Sequence, residues 1–407
     1  MKKTVVLSVV GIALLLTLLA AGCVQQPNVP SNTTPAGVKI LYTAGVGPMP
    51  QLLGTKQVDG YIAWQPFPEI AQETGIGKVA TYTKDFPPLG QWINHPTNVF
   101  ISRNDFYRNN PDTVNALTAL TILSDQYITS HPDEAANITA QWLVGGGNFT
   151  YGNISVDSNS VMKNAIRTVT YTTEPSPAWI NGTEKFVTSE IQLGYLNGTL
   201  KSATPDQYDN IIFDFSSYQD ATEMIKNGSI KVPQGENKTF NMGYLLAADH
   251  AALFVAVKDS AYFNTTYGLA LVPEDPTAAR PNVVDLVVNG TKVATINLVP
   301  GDAGPQLMQL AATNAIQTSY VGVPPAIAAI DKGTAIKILS PVDTEGSALV
   351  VLPDAPVTDW NSFVSWAKQR AAAGKPLTIA APGKGSIQDV MLQSALKESG
   401  LSVNQAS

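Results

Sequence analysis

The chain has 407 residues, 25 basic and 32 acidic side chains, a formal net charge of −7, and 44 % hydrophobic against 14 % charged residues. That hydrophobic content excludes a disordered chain, and an acidic balance with no basic run excludes the positive face that nucleic acid requires. One cysteine and three histidines exclude a disulfide scaffold and a thiolate zinc cluster, so neither a metal nor a cofactor is expected.

Lys2 and Lys3 precede an apolar run from Thr4 to Ala21, followed by Gly22 and the only cysteine, Cys23. A basic start, an apolar core and small residues before a cut site read as an export signal over residues 1–22. The run is also long enough for a membrane span, which leaves a retained anchor as the alternative. The stretch Leu19-Ala20-Ala21-Gly22-Cys23 resembles a lipoprotein lipobox with its leucine one place early, which implies lipidation of Cys23. Residues 23–36 are rich in Pro, Ser, Thr and Asn without apolar period and read as a tether. Ten Asn-X-Ser/Thr sequons follow or overlap it, at Asn32, Asn137, Asn148, Asn153, Asn181, Asn197, Asn227, Asn237, Asn264 and Asn289. Together these place the mature chain outside the cell, held at the membrane as a glycoprotein, and point to an archaeal surface protein.

Past the tether, apolar runs alternate between strand and helix period, which is the pattern of an α/β fold. Strands are expected at Val38–Tyr42, Val58–Ala63 and Leu377–Ala381. Asn110-Pro111 and His131-Pro132 open helices, the second closed by Gly145-Gly146-Gly147. Thr358 is expected to cap a helix ended by Gly374 and Pro376, and Ser386 to cap the last one. Gly47-Pro48 and Gly304-Pro305 each precede a helical stretch and a strand, a weak internal repeat. The polar segment from Lys226 to Thr239 reads as a linker between halves of comparable size.

The run Gln57-Val58-Asp59-Gly60-Tyr61-Ile62-Ala63-Trp64-Gln65-Pro66-Phe67 resembles a segment of the solute-binding proteins of nitrate, sulfonate and taurine-type ABC importers, in the superfamily that includes thiamine-pyrimidine synthesis enzymes. Gly243-Tyr244 with His250-Ala251-Ala252-Leu253-Phe254-Val255-Ala256, Gly322-Val323-Pro324-Pro325, Glu345-Gly346-Ser347 and Pro382-Gly383-Lys384-Gly385-Ser386 are similar to further blocks of that family. Their order is rotated, because the block around His250 stands first in the family and the block around Trp64 last. The resemblance therefore implies a type II periplasmic-binding-protein-like fold of two lobes with a hinge, circularly permuted. Residues 37–96 with 351–407 form one lobe, residues 97–350 the other, and 226–239 the joint between old termini.

Ligands in such sheets lie beyond the carboxyl ends of strands, against helix N-termini. Gly385, Ser386 and Ile387 offer backbone N–H groups to an anion, against the plainer reading of Ser386 and Asp389 as a capping box. Gly322 and Val323 open a second helix, and Gly45 to Pro48 a third. Trp64 reads as an aromatic wall or as core, and His250 stands where the family lines its pocket. Glu345 and Ser347 flank a hinge, with Thr97-Asn98-Val99-Phe100 as the return crossing. No nucleophile–base pair, phosphate loop or zinc helix is present in the sequence, so a binding protein is expected rather than an enzyme. The implied role is capture of a small anionic or zwitterionic solute and its delivery to an ABC permease and ATPase. A surface sensor with the same fold is the alternative.

Overall fold

The computed structural model describes residues 37–236 and 239–405. The export signal, Cys23, the tether at 23–36 and the sequons at Asn32 and Asn237 lie outside the described residues.

In chain order the strands are β1 (Val38–Tyr42), β2 (Gly60–Trp64), β3 (Lys78–Tyr82), β4 (Asn98–Arg103), β5 (Asn148–Tyr151), β6 (Ile154–Asp157), β7 (Val169–Tyr171) and β8 (Thr239–Leu245). There follow β9 (Leu269–Pro273), β10 (Val283–Val288), β11 (Thr291–Gly301), β12 (Thr318–Gly322), β13 (Ile336–Pro341), β14 (Asp343–Glu345), β15 (Ser347–Val351), β16 (Leu377–Ala381) and β17 (Val403–Gln405). Helices fill most of the connections, so the chain is mixed α/β as its alternating pattern predicts.

A six-stranded sheet runs β17-β1-β16-β2-β15-β3, and a seven-stranded sheet runs β13-β4-β12-β8-β11-β10-β9. The chain passes from the first sheet to the second between β3 and β4 and returns between β13 and β15. Each crossing delivers a strand antiparallel to its neighbours: β4 against β12 and β13, β15 against β2 and β3. The runs β1-β16-β2-β15-β3 and β11-β8-β12-β4-β13 have the same pattern of directions, parallel, parallel, antiparallel, antiparallel.

Burial explains the composition of these strands. Gly60–Trp64 and Ser347–Val351 are buried at every residue, as befits central strands covered on both faces. In contrast β10 alternates half-buried with buried residues, because one face of that antiparallel end is less covered. It joins β11 through Asn289-Gly290, with φ of 49° and 75°, the left-handed pair that a two-residue hairpin turn requires.

Several local expectations need correction. The second strand spans Gly60–Trp64, so Val58 and Asp59 precede it; the Asp59 carboxylate instead accepts the Thr378 N–H at 2.8 Å. Asp359, not Thr358, caps helix Trp360–Ala372, sharing a reciprocal box with Ser362. Between Gly228 and Glu236 the segment expected as a linker carries no helix or strand, though it is anchored at several points. Lys226 and Asn227 close helix Ser216–Asn227, Thr239 opens β8, and Ile230 is buried. Its Glu236 carboxylate accepts the N–H groups of Asp112 and Thr113 at 2.9 and 2.8 Å. It thereby caps helix Pro111–Ser130, whose Asn110 makes no side-chain capping bond. Ser347–Val351 belongs wholly to the first sheet, so that sheet resumes before residue 351.

None of the eight described sequon asparagines is buried. Among the described residues no helix is long and apolar enough to cross a membrane.

Candidate functional site

The carboxyl ends of strands from both sheets converge on one small cavity of about 20 Å³. Trp64 ends β2, Leu245 ends β8, and Gly322 ends β12. Ala247, Asp249 and His250 lie in the turn after β8, while Ser386, Ile387 and Gln388 open the helix that follows β16. Asn98, at the start of the antiparallel β4, Gly304 and Pro325 complete the wall. Glycine at 322 is needed for this approach, since a Cβ there would stand 2.8 Å from Cδ1 of Ile387.

Five of the residues singled out from sequence therefore meet: Trp64, His250, Gly322, Ser386 and Ile387. The other four stand elsewhere. Val323 is buried behind Gly322 and donates its N–H to Thr97 O at 2.9 Å. Ser347 accepts from Gln388 Nε2 at 2.9 Å and so positions a lining side chain. Glu345 accepts the Asn94 N–H at 3.0 Å and lies 3.7 Å from Lys84, facing away from the cavity. Gly385 lines a separate, larger cavity with Tyr195 and Lys332.

The helix N-terminus at Ser386 is largely satisfied from within. Ser386 Oγ accepts the Asp389 N–H at 3.3 Å, the Ser386 N–H donates to Gly383 O, and the Gly385 N–H donates to Asp389 Oδ2 at 2.8 Å. Asp389 also accepts from Tyr42 and Tyr195, at 2.8 and 2.7 Å, and from Gln393. Ser386 is thus an ordinary N-cap, but the reciprocal half of a capping box is missing, because Asp389 accepts from the Gly385 N–H and not from that of Ser386.

The polar wall of the cavity is an ordered relay. The Leu245 N–H donates to His250 Nδ1 at 2.9 Å, which puts the imidazole proton on Nε2, 3.3 Å from Asn98 Oδ1. Asn98 in turn donates its side-chain amide to both oxygens of Asp343, at 3.1 and 3.2 Å, and its backbone N–H at 2.9 Å. Burial holds the His250 imidazole down to about 3, so it is neutral at pH 7. Burial pushes the Asp343 carboxyl up to about 7, against the pull of the Asn98 hydrogen bonds. Asp249 is fully buried, raised by that burial and then by the Asp343 charge, and its Oδ1 has no hydrogen-bond partner. Asp125, also buried, is pushed up by the same two causes.

Asn98 and Asp249 are the site residues that the sequence reading passed over, Asn98 having been taken only as part of a crossing. The available signal for Asp249 was an acid set between alanines and a fully apolar helix, Ala247-Ala248-Asp249-His250-Ala251-Ala252, where a charge has no solvent to face. Among the described residues no three acids, histidines or cysteines form a group able to hold a metal.

The strand ends of the two sheets thus share one small, partly open pocket with both polar and apolar walls. In keeping with that, the pattern of the NMT1-like family matches residues 13–144 and 233–406, more than half of the chain. The chain belongs to that family, whose kin are the nitrate, sulfonate and taurine binding proteins of ABC-type transport, proteins of the extracytoplasmic space. A segment of 119 residues, 29 % of the chain, is 29 % identical to the uncharacterized protein MJ1180 of Methanocaldococcus jannaschii, covering 79 % of that protein. No solved structure matches the chain.

Proposed function

We propose that the protein is the solute receptor of an ABC importer, a clamp of two lobes that closes on a small polar solute and carries it to the permease. The observation that carries this is the meeting of Trp64 and Ser386 from the first sheet with His250 and Gly322 from the second around one cavity. The hinge is formed by the two crossing segments, which lie side by side. Thr97 donates to Asp343 O, Val342 to Asn98 O, and Glu345 to His95 O. Of the anionic and zwitterionic solutes expected from sequence, the zwitterionic ones fit this pocket better, because no lysine or arginine lines it.

The lobes are read as circularly permuted. Matched position by position, β8, β11, β12 and β13 of the second sheet correspond to β16, β1, β2 and β3 of the first. The second set ascends along the chain, while the first begins at the chain's far end and continues from its start. In support, β17 pairs in parallel with β1, and the Gly37 N–H donates to Ser402 Oγ at 3.0 Å. Lipidation at Cys23, glycans on the exposed sequons and attachment to the outer face of the membrane complete the proposal.

A thermal-shift screen over nitrate, sulfonates, taurine and aminopyrimidines tests it, since a solute that binds only the folded state raises Tm by mass action. At least one solute is expected to stabilise the protein and, in small-angle scattering, to reduce its radius of gyration. Chemical turnover of the bound solute, or an extended dimer at low concentration, would overturn the receptor or the permuted-monomer reading respectively.

A further inference from the structure

We infer that Tyr195 is a clasp beside the mouth of the solute cavity: its hydroxyl ties the second lobe to the first, and breaking that tie lets the lobes part. The inference deepens the receptor reading above and rests on it.

Helix Pro177–Gln192 packs against one helix from each sheet, Val323–Asp331, which follows β12, and Ile387–Glu398, which follows β16. The loop that leaves it meets both neighbours. Asp331, at the end of the second-sheet helix, accepts the N–H groups of Asn197, Gly198 and Leu200 at 2.9, 2.8 and 2.8 Å. A Cβ at position 198 would stand 2.1 Å from Asp331 O, so glycine is needed for this approach. Tyr195 reaches the other way. Its hydroxyl donates to Asp389 Oδ2 at 2.7 Å and accepts from Gln393 Nε2, both on the first-sheet helix. Lys384 Nζ lies 5.4 Å from the centre of its ring. An exposed bond from Lys397 Nζ to Gln192 O, at 3.3 Å, adds a weaker tie. Held on one side by three backbone N–H groups, the loop holds the other mainly through one hydroxyl.

The place of this tie gives it a role beyond stability. Tyr195 lines a cavity of about 440 Å³ with Met308, Ala328 and Lys384. That cavity shares Pro325 with the solute cavity, and its Pro305 and Gly385 adjoin Gly304 and Ser386 of the smaller one. A solute thus has a path inward past Tyr195. The smaller cavity, about 20 Å³, holds one water-sized group, so the lobes must separate to admit a solute. Separation draws the two helices apart, and the bonds of the Tyr195 hydroxyl are the ones that span them. A hydrogen bond to a carboxylate weights such an equilibrium by about tenfold.

The test is hydroxyl-radical footprinting of the solute-free full chain, read by mass spectrometry at single tryptophans. Trp64 lines the solute cavity, whereas Trp142 and Trp360 are buried in the cores of the second and first sheets. Tyr195→Phe keeps the ring and removes the hydroxyl. It should raise the oxidation rate of Trp64 about tenfold and leave Trp142 and Trp360 unchanged. Asp331→Ala cuts the same clasp at its other anchor, so the double variant should gain no more than the larger single effect. Should Asp331→Ala fail to fold, Tyr195→Phe decides alone. An unchanged Trp64 rate, a parallel rise at all three tryptophans, or additive effects in the double variant overturns the inference. The receptor reading falls separately, when no solute of the wider screen binds.

Discussion

Asn98 and Asp343 hold each other through three hydrogen bonds, two from the Asn98 side-chain amide and one from its backbone N–H, at 3.1, 3.2 and 2.9 Å. The pair sits where the two crossing segments run together, and both residues are buried. It thus couples the cavity wall to the path between the sheets.

Asn98→Ala removes two of those donors from a buried carboxyl. The expected loss is about 2–4 kcal/mol of stability by chemical denaturation at pH 8, where Asp343 is ionised. A loss below about 0.5 kcal/mol would mean that Asp343 finds other partners or water.

The pH dependence has a definite sign for each member of the relay. Asp343 titrates near 7 folded and near 4 unfolded, so between those values the folded protein holds a proton that the unfolded chain releases. Its contribution to stability therefore declines as pH rises from 4 to 7 and is flat above. His250 titrates near 3 folded and near 6.5 unfolded, so its contribution is complete above 6.5 and is lost as pH falls toward 3. Denaturation of Asp343→Asn and His250→Gln against the parent from pH 4 to 8 separates the two. The first variant should gain on the parent as pH rises to 7, the second should gain as pH falls below 6.5. Parallel curves in either case would refute that assignment.

Gly346 and Gly374 form a matched comparison. Both have left-handed φ, 78° and 73°. A Cβ at Gly346 would stand 2.7 Å from Asp249 Oδ1 and 2.9 Å from Val169 Cγ2, whereas at Gly374 nothing lies within 4 Å. Alanine at 374 should cost about 1 kcal/mol from backbone strain alone. Alanine at 346 should cost about 3 kcal/mol and shift Asp249, which thermal denaturation of the two variants would reveal.

Glu236→Ala tests whether the joining segment contributes to the fold. It withdraws a carboxylate from two N–H groups at the start of helix Pro111–Ser130. A decrease of about 1 kcal/mol is expected, and an unchanged midpoint would return that segment to the status of a passive connector.

Much of the architecture was legible because burial on two faces writes itself as apolar runs. Leu377–Ala381 is of that kind, and Pro111, Pro132 and Ser386 mark helix starts as their backbone chemistry requires. The site was legible only in part. Trp64, His250, Gly322, Ser386 and Ile387 stand at strand and helix ends, positions that local pattern reveals. Asn98 bonds Asp343, 245 residues away, and Asp249 lies close against Gly346, 97 residues away, and no local pattern encodes that distance. Glu236 was hidden for the same reason: the N–H groups that donate to it are on a helix more than a hundred residues earlier.

The last described strand, β17, covers the backbone of β1 along Val38, Lys39 and Ile40 at the rim of the first sheet. Without that cover, β1 would present open amides and carbonyls beside the apolar side chains of Val38 and Ile40, a template for strands of other molecules. Proteolytic trimming near Leu401 should therefore show itself as self-association of otherwise folded molecules before any loss of solute affinity.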